Sequence, residues 1–270
     1  GVTIAENLNI AVTTGNTYTV AAAYEATKEA SRLLGRKIGE GEVAIIGANG
    51  SIGRVCAELA CRDCQNVMLI GANLTKLREL KNNLKKKYKE TNISCTTNIS
   101  KGMENADTVI TVTSSIREII YPEDIKSGAV VCDVARPRDV SKKVKDMRKD
   151  VLVIEGGVIE VPKGLEFNFN FGFPPGKSYA CMAETMILAL EKRYENYSLG
   201  NIDRTTYLLE RDVLQGHIST LEREKRAQED VVTNLKQERR KALKWIKDIF
   251  SANGLDKLPT ELVQSLVDKV

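Results

Sequence analysis

Cys181 stands in the segment PPGKSYACMAETM (174–186), directly after a Pro/Gly turn and Lys177 and where a helix is expected to begin. The thiolate is the reactive form of cysteine, and both a helix N-terminus and a neighbouring cation favour it. Such a thiol can act as a covalent nucleophile, with Lys177 assisting; the alternative is a small apolar residue packed in a core. The only histidine, His217, falls in a distant charged segment. A Cys-His dyad is therefore not expected, and hydrolysis of the serine type, which needs a base, fits poorly. Thioester exchange followed by hydride transfer needs no histidine, because the displaced thiol is a good leaving group.

The second chemical signal is GANGSIG, residues 47–53, in which Gly47, Gly50 and Gly53 alternate with Ala48, Asn49, Ser51 and Ile52. It follows an apolar run and opens a helical pattern, the context a dinucleotide fingerprint requires. Gly47 permits the tight turn, Gly50 lets backbone approach a pyrophosphate, and Gly53 allows the helix to sit close to the sheet. The helix N-terminus then offers free N–H groups to the phosphates. The next strand ends LIGANLTKLREL with no carboxylate before Glu79, whereas Asn73, Thr75, Lys76 and Arg78 could receive a 2'-phosphate. NADP(H) is accordingly expected over NAD. Thr113 and Ser114 in TVTSS, and Gly156 and Gly157 in EGGV, fall where loops line the ribose and nicotinamide crevice. For the glycine pair, a simple strand bend is the alternative. Asn16, Thr17 and Thr19 could cap the helix they begin or contact substrate. Asp133 and Arg136 close another strand and could position substrate or pair with each other.

The elements that must hold these residues can be read from periodicity. An Ala-rich helix spans 17–34 and stops at Gly35; strand, turn and helix follow over 42–60; a strand over 66–73 leads to a Lys/Leu-rich helix over 74–90. Apolar runs return at 93–97, 107–115, 129–135 and 151–161, and a helix is expected from Tyr179 to Tyr197. Strands that alternate with helices and read as continuous apolar runs predict an α/β, Rossmann-type doubly wound parallel sheet, with a long N-terminal helix and a C-terminal helical extension. The expected divisions are an N-terminal segment and linking helix (1–39), a cofactor domain (40–172), the segment carrying the candidate nucleophile (173–202) and a coiled-coil-like extension (203–270). In that extension a heptad-like stripe from Leu214 to Ile249 predicts self-association into a homo-oligomer, or a helix packed back on its own domain.

Composition restricts the function classes. The chain has 270 residues, 28% charged and 42% hydrophobic, with a net charge of +4. Basic runs at 81–89, 136–149 and 236–247 read as solvated faces, and nucleic acid is the weakest partner hypothesis. No apolar run approaches the roughly 20 residues of a membrane span and no signal peptide opens the chain, so a cytoplasmic location is expected. Cys56, Cys61 and Cys64 reproduce a ferredoxin-like C-x4-C-x2-C spacing. They fall in and just after a helix with no fourth cysteine nearby, so core thiols and no metal are expected. The chain opens on Gly1 rather than Met, which suggests a piece of a longer protein.

TTGNTYT (13–19), GANGSIG (47–53), EGGVIE (155–160) and YACMAETMILALE (179–191), in this order, resemble the long-chain fatty acyl-[acyl-carrier-protein] reductases of the cyanobacterial, aldehyde-forming type. The resemblance runs from near the start to about residue 205, without the family's upstream acyl-binding region. It implies that Cys181, matching the cysteine of the family's ACFAE segment, takes an acyl group as a thioester from acyl carrier protein or acyl-CoA, and that NADPH reduces it to a fatty aldehyde. Where that family reads DGGYPKN, this chain has DVARPRD (133–139), which resembles the equivalent loop of glutamyl-tRNA reductases. Two alternatives stay open. One is a dehydrogenase of the shikimate or methylene-tetrahydromethanopterin type, which needs no cysteine; the other is a non-catalytic cofactor-binding assembly module.

Overall fold

The structure is a computed structural model that describes residues 2–162, 167, 172 and 175–197, with ten scattered helical positions between 223 and 244. The chain divides into two units, 1–204 and 205–270. Most of the second unit, including His217 and the stripe expected to drive self-association, lies outside the described residues.

Six strands form one parallel sheet: β1 (Glu42–Ile46), β2 (Asn66–Ile70), β3 (Asn92–Thr96), β4 (Ala106–Thr111), β5 (Val130–Asp133) and β6 (Leu152–Glu155), in the order β3-β2-β1-β4-β5-β6. The order reverses between β1 and β4, which opens the crevice at the carboxyl ends of the strands where such sheets bind ligands. The strands form where apolar, β-branched runs occur, and the central ones are sealed on both faces: Val43, Ala44, Ile45 and Ile46 of β1 are all buried. Ala44 and Ile46 point to one side, into a cluster with Ile70, Met103, Val109, Val131 and Val144. That side is covered by α5 (Ile99–Met103) and α6 (Lys142–Met147).

Helices α2 (Asn16–Leu33), α3 (Ser51–Asp63) and α4 (Leu74–Lys87) also belong to this unit, and α2 packs on β4, β5 and β6 as well as on α3. A short α1 (Val2–Asn7) precedes them. The three thiols of the ferredoxin-like spacing are buried, and burial pushes each of them up to about 12. Among the described residues no group of histidines, cysteines and carboxylates could hold a metal, and no helix is long and apolar enough to cross a membrane.

Two expected elements differ. The run 151–161 is not one strand: the chain turns at Gly156 and Gly157, the latter at φ 73°, and leaves as β7 (Val158–Glu160). β7 pairs antiparallel with β8 (Lys177–Tyr179), which lies outside the main sheet. The helix expected over 179–197 ends at Leu190 as α7 (Ala180–Leu190), because Lys192 enters the left-handed region at φ 55°. Beyond it, Tyr197 donates its N–H to Val12 O at 2.8 Å and ties the end of this segment to the start of the chain.

Candidate active site

The glycine turn has the geometry its spacing predicts. Gly47 has φ 86°, and a Cβ there would lie 2.9 Å from Val112 O. A Cβ on Gly53 would overlap Gly47 O and stand 2.7 Å from Gly47 C, so glycine is what lets α3 approach β1. Gly50 is the helix N-cap in extended geometry without a side-chain cap. The N–H groups of Gly47 and Ala48 both donate to Ile70 O, at 2.9 and 3.0 Å. They hold the turn to β2, which leaves the first turn of α3, Ser51 to Gly53, to offer free donors. Asn49 Oδ1 accepts from Asn73 N at 3.4 Å, while Asn49 Nδ2 is buried without a partner. A buried donor left open beside an uncapped helix start fits the phosphates or ribose of a dinucleotide.

At the end of β2, Asn73 Oδ1 caps α4 by accepting Lys76 N at 2.9 Å, so part of its side chain is structural. At the end of β4, Thr113 is spoken for: its hydroxyl donates to Asp139 Oδ1 at 2.5 Å and its N–H to Asp139 Oδ2 at 3.2 Å. Asp139 is fully buried and also takes the Thr111 hydroxyl at 2.5 Å. Ser114, next along, is exposed in the same loop.

Asp133 and Arg136 do not pair. The Asp133 carboxylate accepts Ala135 N at 3.1 Å and Val140 N at 3.0 Å, shaping its own loop, and burial raises its pKa against those bonds. Arg136 instead pairs with Glu155 at 2.5 Å and lies 5.8 Å over the ring of Tyr179, the N-cap residue of α7. A Cβ on Gly156 would fall 2.5 Å from Val134 Cγ2 and 2.8 Å from Cys132 Sγ, so packing inside the protein already requires glycine there.

Cys181 is the second residue of α7, and it is exposed. Its position is set from two sides. Ala180 N donates to Gly157 O at 2.8 Å, and the β7–β8 pair carries Lys177, itself exposed, four residues before it. Opposite lies Gly15, the N-cap of α2 at φ 69°: a Cβ there would overlap Cys181 Cβ and stand 2.5 Å from Cys181 Cα. One residue on, Asn16 Nδ2 donates to Ser51 Oγ at 3.1 Å. The starts of α7, α2 and α3 therefore meet, and their dipoles share one sign there.

The expectation that Asn16, Thr17 or Thr19 caps α2 is corrected. The cap is Gly15, which has no side chain; the Thr19 hydroxyl bonds back to Gly15 O at 2.8 Å, and Thr17 Oγ1 is buried without a partner. The cap comes from α7 instead, where buried Glu184 accepts Tyr18 N at 2.6 Å and the Thr13 hydroxyl. Thr13, Gly15 and Glu184 are the site residues that sequence reasoning missed. One signal was present, since Glu184 is the only charged residue of the apolar helix ACMAETMILAL.

Exposure sorts the thiols. Cys181 is exposed and Cys95 half-buried, whereas burial holds Cys56, Cys61 and Cys64 up at about 12 and Cys132 at about 11. Iodoacetamide at pH 8 is expected to modify Cys181 first, and to reach these four only after unfolding. Peptide mapping over time checks this, and early labelling of Cys56 would contradict it.

Fold and site together define a Rossmann-type nicotinamide-dinucleotide domain of the class found in oxidoreductases. The family model for shikimate / quinate 5-dehydrogenase matches residues 28–155, which stops short of Cys181. The chain is 30% identical over 204 residues to aminotransferase PigE of Serratia sp., covering 74% of this chain and 24% of that protein. It is 27% identical over 195 residues to the long-chain acyl-[acyl-carrier-protein] reductase of Synechococcus elongatus, covering 70% of this chain and 54% of that protein. It thus spans about a quarter and about half of these relatives. Among solved structures, the nucleotide-binding domain of glutamyl-tRNA reductase from Thermoplasma volcanium aligns at 18% identity and a TM-score of 0.35, over 50% of this chain and 84% of that one.

Proposed function

We propose that the chain reduces an acyl thioester to an aldehyde, with NADPH as reductant and Cys181 carrying the acyl group in between. One observation carries the reading: an exposed cysteine at a helix start rests against Gly15, whose neighbour Asn16 bonds Ser51 of the glycine turn. This chain of contacts supports a thiol close to the crevice in which the dinucleotide is proposed to bind. The likeness to the acyl-[acyl-carrier-protein] reductase supports an acyl carrier protein or acyl-CoA as donor. In this reading the first turn of α3 holds the pyrophosphate, Asn49 adds a donor, and Lys76 with Asn73 receives the 2'-phosphate that favours NADP over NAD. A bound NADPH supplies hydride. Cys181 attacks the thioester carbonyl, forms the new C–S bond and releases the carrier thiol. Lys177, exposed four residues before Cys181, is the proposed assisting cation and Arg136 a proposed substrate contact, and self-association through the helical extension belongs to the same proposal.

Intact-protein mass spectrometry after incubation with an acyl-CoA tests it. The expected result is one acyl adduct on Cys181 that NADPH discharges with release of aldehyde. No adduct, or one that NADPH leaves in place, would overturn the reading. The match of residues 28–155 to the shikimate / quinate dehydrogenase model supports a second reading, hydride transfer without covalent catalysis. Turnover of a hydroxy or keto acid that is indifferent to Cys181 would favour it.

A further inference from the structure

We propose that the first turn of α2 is the oxyanion site for the acyl group on Cys181, formed by the N–H groups of Asn16 and Thr17 with the Thr17 hydroxyl. This rests on Cys181 being acylated and adds residues that stabilise the step. When the Cys181 thiolate attacks a thioester or ester carbonyl, the C–S bond forms and the π pair moves onto oxygen. On collapse that pair restores C=O and the leaving group departs with the electrons of the broken bond, a carrier thiolate then taking a proton from water and p-nitrophenolate remaining the anion. A negative oxygen therefore develops within about 3 Å of the attacking sulfur, and donors fixed at that spot lower the barrier.

Four observations place such donors at α2. The helix is 18 residues long, and its N-cap, Gly15, is packed on the backbone and Cβ of Cys181. Its first-turn N–H groups have no acceptor within the helix. Tyr18 N goes to Glu184 at 2.6 Å and Gly15 N to Thr13 Oγ1 at 3.1 Å, which leaves Asn16 N and Thr17 N as the uncommitted pair. Thr17 is 9% exposed, and its Oγ1 has no hydrogen-bond partner. Buried hydroxyls are nearly always bonded, so one left open on the turn whose N-cap packs on the backbone and Cβ of Cys181 points to an absent acceptor.

Glu184 is the positioning residue. From α7, three residues past Cys181, it takes Tyr18 N and the Thr13 hydroxyl, and so locks α2 onto the helix that bears the thiol. It occupies one donor of the turn and leaves the two nearest Gly15 open.

The test compares two reagents on the same sulfur, using Thr17→Val and Thr17→Ser in the full chain. Acylation by p-nitrophenyl acetate passes through an oxyanion; alkylation by iodoacetamide displaces iodide at a saturated carbon and does not. Acylation is read as the p-nitrophenolate burst that Cys181→Ala lacks. Thr17→Val is expected to slow the burst on the order of 10²-fold, with alkylation unchanged and Thr17→Ser close to wild type. Should valine disturb the packing, as a lowered melting temperature would reveal, Thr17→Ala removes the hydroxyl without added bulk and carries the same expectation. An unchanged burst, or burst and alkylation slowed together, would overturn the proposal. If acyl-CoA never acylates a wild-type protein that p-nitrophenyl acetate does acylate, the substrate class fails, while a surviving Thr17 dependence still supports the oxyanion site.

Discussion

Cys181→Ser is expected to remove aldehyde formation by about 10³-fold or more while leaving NADPH affinity and the melting temperature where they were. Each part has its own ground. Serine is a poor nucleophile without a general base, and among the described residues there is no histidine to serve as one; Gly15, which packs against residue 181, has no side chain. Affinity should hold because the turn that would take the dinucleotide, Gly47 to Gly53, is built from β1, β2 and α3, and no described hydrogen bond joins it to the side chain of Cys181. Stability should hold because the side chain is exposed, and surface substitutions away from caps and cores usually shift stability by under about 0.5 kcal/mol. Stopped-flow turnover, cofactor titration and a thermal melt read the three separately. Retained turnover would remove the covalent reading; lost affinity would mean that the serine acts on the cofactor crevice.

The same separation of grounds explains what could be read from the sequence. Strand positions and the glycine turn rest on local signals: continuous apolar runs for β1, β2, β4 and β5, and three glycines whose roles follow from backbone geometry alone. The turn at Gly156–Gly157 was legible as a possible bend but not as the point where the chain leaves the main sheet, because β7 pairs with β8 across a long interval. The partners that support the site were not legible. Thr13 meets Glu184 across 171 residues of sequence, and Tyr18 meets it across 166. No spacing rule reaches that far. What the sequence did show was a lone carboxylate in an apolar helix, and a buried carboxylate requires a partner. Asp133 and Asp139 give the reverse case: the carboxylate at the strand end drew notice, while the fully buried one that organises Thr111 and Thr113 sits six residues later in a charged-looking loop.

Gly50→Ala and Gly53→Ala should part company, although the two positions are one turn apart in the same motif. At Gly53 a Cβ would overlap Gly47 O, and both groups belong to tightly packed backbone, so α3 must move off β1. Overpacking of this kind costs about 1–3 kcal/mol, which for a unit of this size lowers the melting temperature by roughly 2–12 °C, and cofactor affinity falls with it. At Gly50 the φ of −75° and ψ of 168° suit any residue, and the nearest atom to an added Cβ is Gly47 O at 3.3 Å. The fold should therefore accept alanine with a loss of under about 1 kcal/mol at the N-cap. The pyrophosphate should not accept it, because Gly50 is the position where backbone must come closest to the phosphates. Gly50→Ala is thus expected to weaken NADPH binding at least about tenfold, some 1.4 kcal/mol, at a nearly unchanged melting temperature. Fluorescence titration with NADPH beside a thermal melt reads both variants. If Gly50→Ala binds NADPH as tightly as the wild type, the turn is only a structural joint between β1 and α3, and the thiol at Cys181 must be explained without a dinucleotide beside it.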